Sequence, residues 1–317
     1  MKSIFSLLLI FSLFLAGQNQ AFGQNQTNNL NQSAETVAAR LDELLERISK
    51  RVGENLDPMF SVAFTESIRL QELKADLSTK GKPKDFVYES IVTNRPTSAN
   101  AADYQPIFTR TLKSINGKPF KGQISAENSK CEETNPQPTY ENPLAFLLPK
   151  NQPNYIFSYG GEADLDGHKS IVILVAEKPI SEPLAIVEKD DCLFLSRPLQ
   201  IKGKIWVDSK NYDVIQTQWE QAENFSAEIP KKTVKIGIIP LVHPSVTISY
   251  DRQDFTIRFR RVIFENPGQT LLLPYFSESV WINKGMRLAG MRTTVEYTRY
   301  RLFKINVEVN DSDKEPN

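Results

Sequence analysis

Lys202 to Glu220 reads KGKIWVDSKNYDVIQTQWE. With Ile201 before it, Ile201, Gly203, Ile205 and Val207 alternate with Lys202, Lys204, Trp206 and Asp208. After Ser209-Lys210-Asn211, Ile215, Thr217 and Trp219 alternate with Gln216 and Gln218. Successive side chains on a strand point to opposite faces, so this period of two predicts two half-buried strands joined by a short turn.

The signature recurs outward from this pair. Phe86–Val92 is rich in aromatic and β-branched residues. Ile107–Phe120 carries Asn116-Gly117, and Tyr155–Tyr159 and Ile171–Ala176 flank Asp166-Gly167; both dipeptides favour tight hairpin turns. Val246, Ile248 and Tyr250 are expected to face Phe255, Ile257 and Phe259 across a polar turn, Asp251-Arg252-Gln253-Asp254. Beyond Arg260-Arg261 the apolar phase slips to Val262 and Phe264, as a β-bulge produces. Ile236–Val242 reads as a short edge strand, and Phe303, Ile305, Val307 and Val309 as the last one. About ten strands at short spacing, with no helices between them, predict a mainly β chain with a meandering antiparallel sheet rather than a parallel α/β fold.

One amphipathic helix precedes the sheet. Ser33 can cap it, Val37, Leu41, Leu44, Leu45, Ile48 and Val52 form its apolar stripe, and Gly53 is expected to stop it. Upstream, Lys2 precedes the apolar run Ile4–Ala16, whose 13 residues fall short of the ~20 that a membrane helix needs. Ala21-Phe22-Gly23 follows with small residues at cleavage-site spacing, so residues 1–23 are predicted to be a signal peptide. The mature chain is then exported, to a periplasm or beyond the cell, without a transmembrane segment. Residues 24–32 read as a flexible leader, 33–309 as a single β-rich domain with its N-terminal helix, and 310–317 as a polar, disordered tail. The 317 residues carry 38 basic and 38 acidic side chains, a balance that argues against nucleic acid as a partner through bulk electrostatics.

Export changes the reading of the two cysteines. In an oxidising compartment, Cys131 and Cys192 are expected to form a disulfide, the alternative being two buried thiols. Cys131 opens a Pro-rich stretch, residues 129–153, in which Leu144-Ala145-Phe146-Leu147-Leu148 forms an apolar plug. That plug either closes one end of the core or gates a cavity.

No reaction is readable. Residues 162–168 imitate half of a calcium loop, but position twelve is Ile173 where a bidentate Glu is needed, and a hairpin turn accounts for them better. His168 and His243, the two imidazoles, lie in no metal or catalytic motif, and nucleophile-elbow and phosphate-loop signatures are missing. Asp190 and Asp191 are adjacent, and on a strand they point to opposite faces. Arg258, Arg260, Arg261, Arg292, Arg299 and Arg301, with Tyr297 and Tyr300, form either an anionic-ligand face or the wet face of a sheet. The chain is expected to be no enzyme and to need no cofactor or metal.

Three segments carry a resemblance: Lys202–Glu220, Leu271–Trp281 (LLLPYFSESVW) and Thr293–Phe303 (TTVEYTRYRLF). They resemble exported bacterial proteins loosely grouped with the outer-membrane lipoprotein-sorting carriers, over roughly residues 85–305. The resemblance implies a strongly curved, incomplete antiparallel β barrel, a half-barrel with an apolar concave face and helical elements as a lid. The expected function is to shelter an apolar ligand, a lipid or a lipidated protein segment, against a wall of Ile205, Val207, Ile215, Trp219, Phe255, Ile257 and Phe259. These same side chains would otherwise fill a dry core. Two alternatives are an envelope scaffold or sensor that binds a protein partner through its curved sheet, and an unrecognised hydrolase.

Overall fold

The computed structural model describes residues 40–55, 60–74, 76–96, 104–122, 142–189, 192–229, 232–236, 239–243, 246–265, 268–284 and 289–304. Residues 40–54 are helical (α1). Among the described residues sixteen strands follow. They are β1 (Phe60–Leu73), β2 (Thr79–Pro96), β3 (Tyr104–Ile115), β4 (Lys118–Pro119), β5 (Tyr155–Leu165), β6 (His168–Glu177), β7 (Ile186–Lys189) and β8 (Cys192–Leu195), then β9 (Ile201–Asp208), β10 (Val214–Gln221), β11 (Phe225–Ile229), β12 (Lys232–Ile236), β13 (Ile239–His243), β14 (Val246–Phe264), β15 (Gln269–Lys284) and β16 (Ala289–Lys304). The chain is thus mainly β, as the period of two implied, and every pairing is antiparallel.

Twelve strands form one sheet in the order β4-β3-β2-β1-β16-β15-β14-β10-β9-β6-β5, with β11 also on β14. β12–β13 and β7–β8 are separate hairpins. Among the described residues the sheet keeps two edges and does not close into a barrel. β4 lies at one edge and β5 at the other, and residues 120–154 connect them in sequence. Their described part carries two short 3-10 turns, Ala145–Leu147 and Gln152–Asn154, and buries Leu144, Phe146 and Leu147.

Two hairpin turns match their sequence signals. Asn116 and Gly117 have φ of 48° and 74°, and Asp166 and Gly167 have 53° and 82°. These paired left-handed residues match the right-handed twist of the flanking strands. The predicted hairpin at Asp251–Asp254 is corrected: β14 runs unbroken for 19 residues, and Asp251 is a single extra residue where the register shifts opposite β15. One inserted residue moves the apolar phase from Val246, Ile248 and Tyr250 to Phe255, Ile257 and Phe259, which mimics a turn in the pattern. The bulge expected on this strand beyond Arg261 is corrected: the register shifts between Arg258 and Phe259, and the extra residue, Tyr275, lies on β15 beside Pro274, so β14 carries no inserted residue there. Proline donates no ladder hydrogen bond and is tolerated at such a bulge.

α1 passes through Gly53 and ends at Asn55, whose side-chain amide donates to the Arg51 carbonyl at 2.7 Å. Residues 33–39, like the leader and tail, lie outside the described residues. From Leu45 onward the chain is one compact unit, and Leu45, Ile48 and Val52 are buried. Three polar contacts pin this part of α1. Arg47 donates to the Tyr212 hydroxyl at 2.7 Å and lies 5.2 Å over its ring; Arg51 pairs with Asp213 at 3.4 Å; and the Asn55 side-chain oxygen accepts from Leu272 N at 2.8 Å. Tyr212 and Asp213 close the β9–β10 turn, where Tyr212 holds a φ of 61°.

Candidate ligand-binding cavity

Cross-strand neighbours share a face, so the register defines the inner surface of the sheet. Ile257, Thr217, Ile205 and Ile173 form one row across β14, β10, β9 and β6, and Phe255, Trp219, Gly203 and Val175 form the next. Toward β6 these rows are sealed: Ile173, Ile205, Val207 and Thr217 are fully buried. Toward β14 they open onto a cavity of about 1040 Å³.

Strands from both halves of the sheet line that cavity. β1 to β3 contribute Val62, Phe64, Val92 and Phe108; β16 contributes Tyr297 and Tyr300; β15 contributes Leu271–Pro274. Val52 and Asn55 of α1 and the residues Asn142–Phe146 complete the wall. Phe146 sets its ring edge-on to Trp219, with centroids 4.8 Å apart and planes at 81°. Phe64 packs against Tyr300 and Tyr297 at 5.3 Å and 5.9 Å. The opening between the halves has a local cause. β15 pairs with β16 over Phe276–Asn283 and parts from it where β16 continues along β1. The Tyr300 hydroxyl bridges the gap by donating to the Pro274 carbonyl.

The expected wall divides. Trp219, Phe255, Ile257 and Phe259 line the cavity; Ile205 and Val207 share their sheet face but belong to the sealed core, outside the lining. Ile215 is a bulge residue, left out where Val214 faces Val207 and Gln216 faces Trp206. Pattern alone could not separate sealed from open, because both come from one alternating phase.

A pair of opposite charges, Glu66 and Arg110, lies in this cavity wall. Glu66 of β1 has a side chain 3% exposed and pairs with the Arg110 guanidinium of β3, whose side chain is 37% exposed. Arg110 reaches across β2, lying 4.8 Å over the Tyr88 ring and 5.4 Å from that of Phe108. Tyr297, across from Glu66 in the register, shares a 3.1 Å hydrogen bond with Ser277. Burial pushes the Tyr297 hydroxyl above its ordinary value, its bond to Ser277 works against this, and the nearby Glu66 charge adds to the rise while Arg110 opposes it. The sequence contained the signal for this pair: Glu66 follows Val62 and Phe64, and Arg110 stands between Phe108 and Leu112, each a charge in an apolar phase.

The other candidates separate. Arg258 donates to Gln216 at 3.0 Å, Arg261 pairs with Asp213, and Arg260 lies 5.4 Å over the Tyr275 ring, whereas Tyr297 and Tyr300 turn into the cavity. His168 is exposed and pairs with Asp208 at 3.3 Å; Ser170, the nearby hydroxyl, donates to the His168 backbone carbonyl. His243 falls in β13. Residues 162–168 form the β5–β6 hairpin, and among the described residues no group of metal-ligating side chains assembles. Cys192 starts β8, while Cys131, Asp190 and Asp191 lie outside the described residues.

No protein-family model and no curated protein matches the chain. Among solved structures it is similar to a DUF1329 family protein from Desulfovibrio piger, with 7% identity, 82% of this chain and 92% of that one covered, and a TM-score of 0.39. It is similar to a putative outer membrane lipoprotein-sorting protein domain from Vibrio parahaemolyticus, with 11% identity, coverages of 85% and 96%, and a TM-score of 0.33. A LolA superfamily protein from Nitrosomonas europaea follows, with 12% identity, coverages of 82% and 94%, and a TM-score of 0.29. The second and third of these carry descriptions of the kind that the three strand segments resemble, at low identity.

Proposed function

We propose that this chain is an exported, non-catalytic binding protein that shelters an apolar ligand, a lipid or a lipidated segment, in the cavity on its concave face. The supporting observation is the cavity itself: about 1040 Å³, walled by aromatic and aliphatic side chains, with α1 and the 142–154 segment on its rim. Ligand pockets are typically about 300–1,000 Å³, mostly apolar, with a few placed polar groups. The signal peptide predicted at residues 1–23 supports export. The test is to purify the full chain from a periplasmic fraction and analyse an organic extract by mass spectrometry. Stoichiometric lipid is expected; a protein that is lipid-free and fails to take up a fluorescent lipid probe would refute the reading.

A second reading, docking of an envelope protein partner, is favoured by one feature. β5 is an edge strand whose Ile156 and Tyr159 are 51% and 48% exposed, beside Leu174 of β6 at 38%. A partner that adds a strand there would be lost on Ile156→Lys while lipid content stays unchanged.

A further inference from the structure

We propose that the cavity selects acidic amphiphiles, with the acyl chain on the aromatic wall and the headgroup oxygens on Arg110. This rests on the ligand-sheltering reading and adds the headgroup chemistry. Among the described residues, three acidic or basic side chains line the cavity, Glu66, Arg110 and Lys150. The Glu66 carboxylate is enclosed and held by Nη2 of Arg110, while the guanidinium itself is open. An arginine has five N–H donors in a planar fork that matches carboxylate and phosphate geometry, so the pair leaves donors facing the cavity and no accessible carboxylate. Tyr88 and Phe108 hold the guanidinium plane. Tyr297, which also lines the cavity, adds a hydroxyl to the donor side. A cationic headgroup would find its counter-charge sealed behind Arg110, and a neutral one would leave the donors partly unused.

The test uses the full mature chain with two fluorescent probes, cis-parinaric acid and its methyl ester. At neutral pH the acid is expected to bind about tenfold or more tightly than the ester, since a hydrogen bond to a charged group contributes on that scale. Removing Arg110 alone would strand a buried carboxylate, so the variant is the double substitution Glu66→Gln with Arg110→Gln, checked for native circular dichroism. It is expected to lose the preference, with the acid-to-ester affinity ratio falling to about one. Glu66→Gln alone, which releases the guanidinium, is expected to retain or increase that preference. Displacement of the acid by oleate or by oleoyl lysophosphatidate, but not by mono-olein, is expected, and the ranking of the two names a carboxylate or a phosphate as the source. Equal binding of acid and ester, or a double variant that keeps the preference, overturns headgroup selection and leaves the carrier reading standing. Failure of both probes to bind overturns both.

Discussion

Gly203→Ala is expected to disturb fold and cavity together, for a reason visible in the geometry. Gly203 lies directly across from Trp219, and a Cβ added there would stand 2.2 Å from the Gln218 carbonyl oxygen and 3.0–3.1 Å from two indole carbons. Ordinary contact is about 3.5 Å or more, so either the β9–β10 ladder parts by roughly 1 Å or the indole lifts. Overpacking of this kind costs about 1–3 kcal/mol. Lifting the indole also weakens its edge contact with Phe146, an interaction that contributes about 0.5–1.5 kcal/mol. The combined loss of about 2–4 kcal/mol should lower Tm by on the order of 5–15 °C, with Trp219 displaced toward the cavity. Thermal unfolding by circular dichroism measures the first, and tryptophan emission together with probe binding measures the second. Gly53→Ala supplies a matched control: it is exposed in α1 with nothing within 4 Å of its would-be Cβ. There the same substitution should stabilise by about 0.5–1 kcal/mol, since alanine loses less backbone entropy in a helix. A Gly203→Ala protein within about 0.5 kcal/mol of the wild type, a change of surface-mutation size, and with unchanged emission would refute the close-approach argument.

Leu147→Ala, which empties a fully buried site in the described segment before β5, should cost about 2–5 kcal/mol by chemical denaturation; a loss below about 1 kcal/mol would place that segment outside the cooperative core. Asp213→Asn should loosen α1, because Arg51 and Arg261 both pair with that carboxylate. Their partial exposure keeps the cost near 1 kcal/mol, with faster amide exchange at residues 45–55 than in β9 as the diagnostic. For Asp208, burial raises the carboxyl, but hydrogen bonds from Lys210 N and Asn211 N and then His168 outweigh it, so the group lies below its ordinary range. The stability from this depressed value is present above about pH 4 and lost as pH falls through the lower folded value. The difference between wild type and Asp208→Asn should therefore be largest near neutrality and shrink below about pH 4; parallel pH profiles would contradict it.

The strands and tight hairpins were legible because side-chain alternation and Asn-Gly or Asp-Gly dipeptides are local signals. The bulges were less so. A single inserted residue at Asp251 and a four-residue turn shift the apolar phase alike, and only the partner strand distinguishes them. Only part of the cavity wall was readable, for a similar reason: Trp219, Phe255, Ile257 and Phe259 sit in the right phase, but so do the sealed Ile205 and Val207. What opens one end is the divergence of β15 from β16 where β16 continues along β1, which is set by pairings distant in the chain. Glu66 and Arg110 are 44 residues apart; each is a charge in an apolar phase, but that they pair shows only once β2 is placed between them.

The sheet order has a consequence for how the molecule is made. β16, which ends at Lys304, is inserted between β1 and β15, so the last described strand joins the first one to the rest of the sheet. Roughly 230 residues separate β1 from β16, on the order of 10–50 s of synthesis at typical ribosomal rates. Through that interval the bonding edge of β1 has no native partner, and such long-range pairing is slow once its partner arrives. An open strand edge with Phe64 beside it is a template for wrong pairing with another nascent chain. Chaperone holding should therefore matter most late in translation, and exposure would be shortest for a chain kept extended until Lys304 is available.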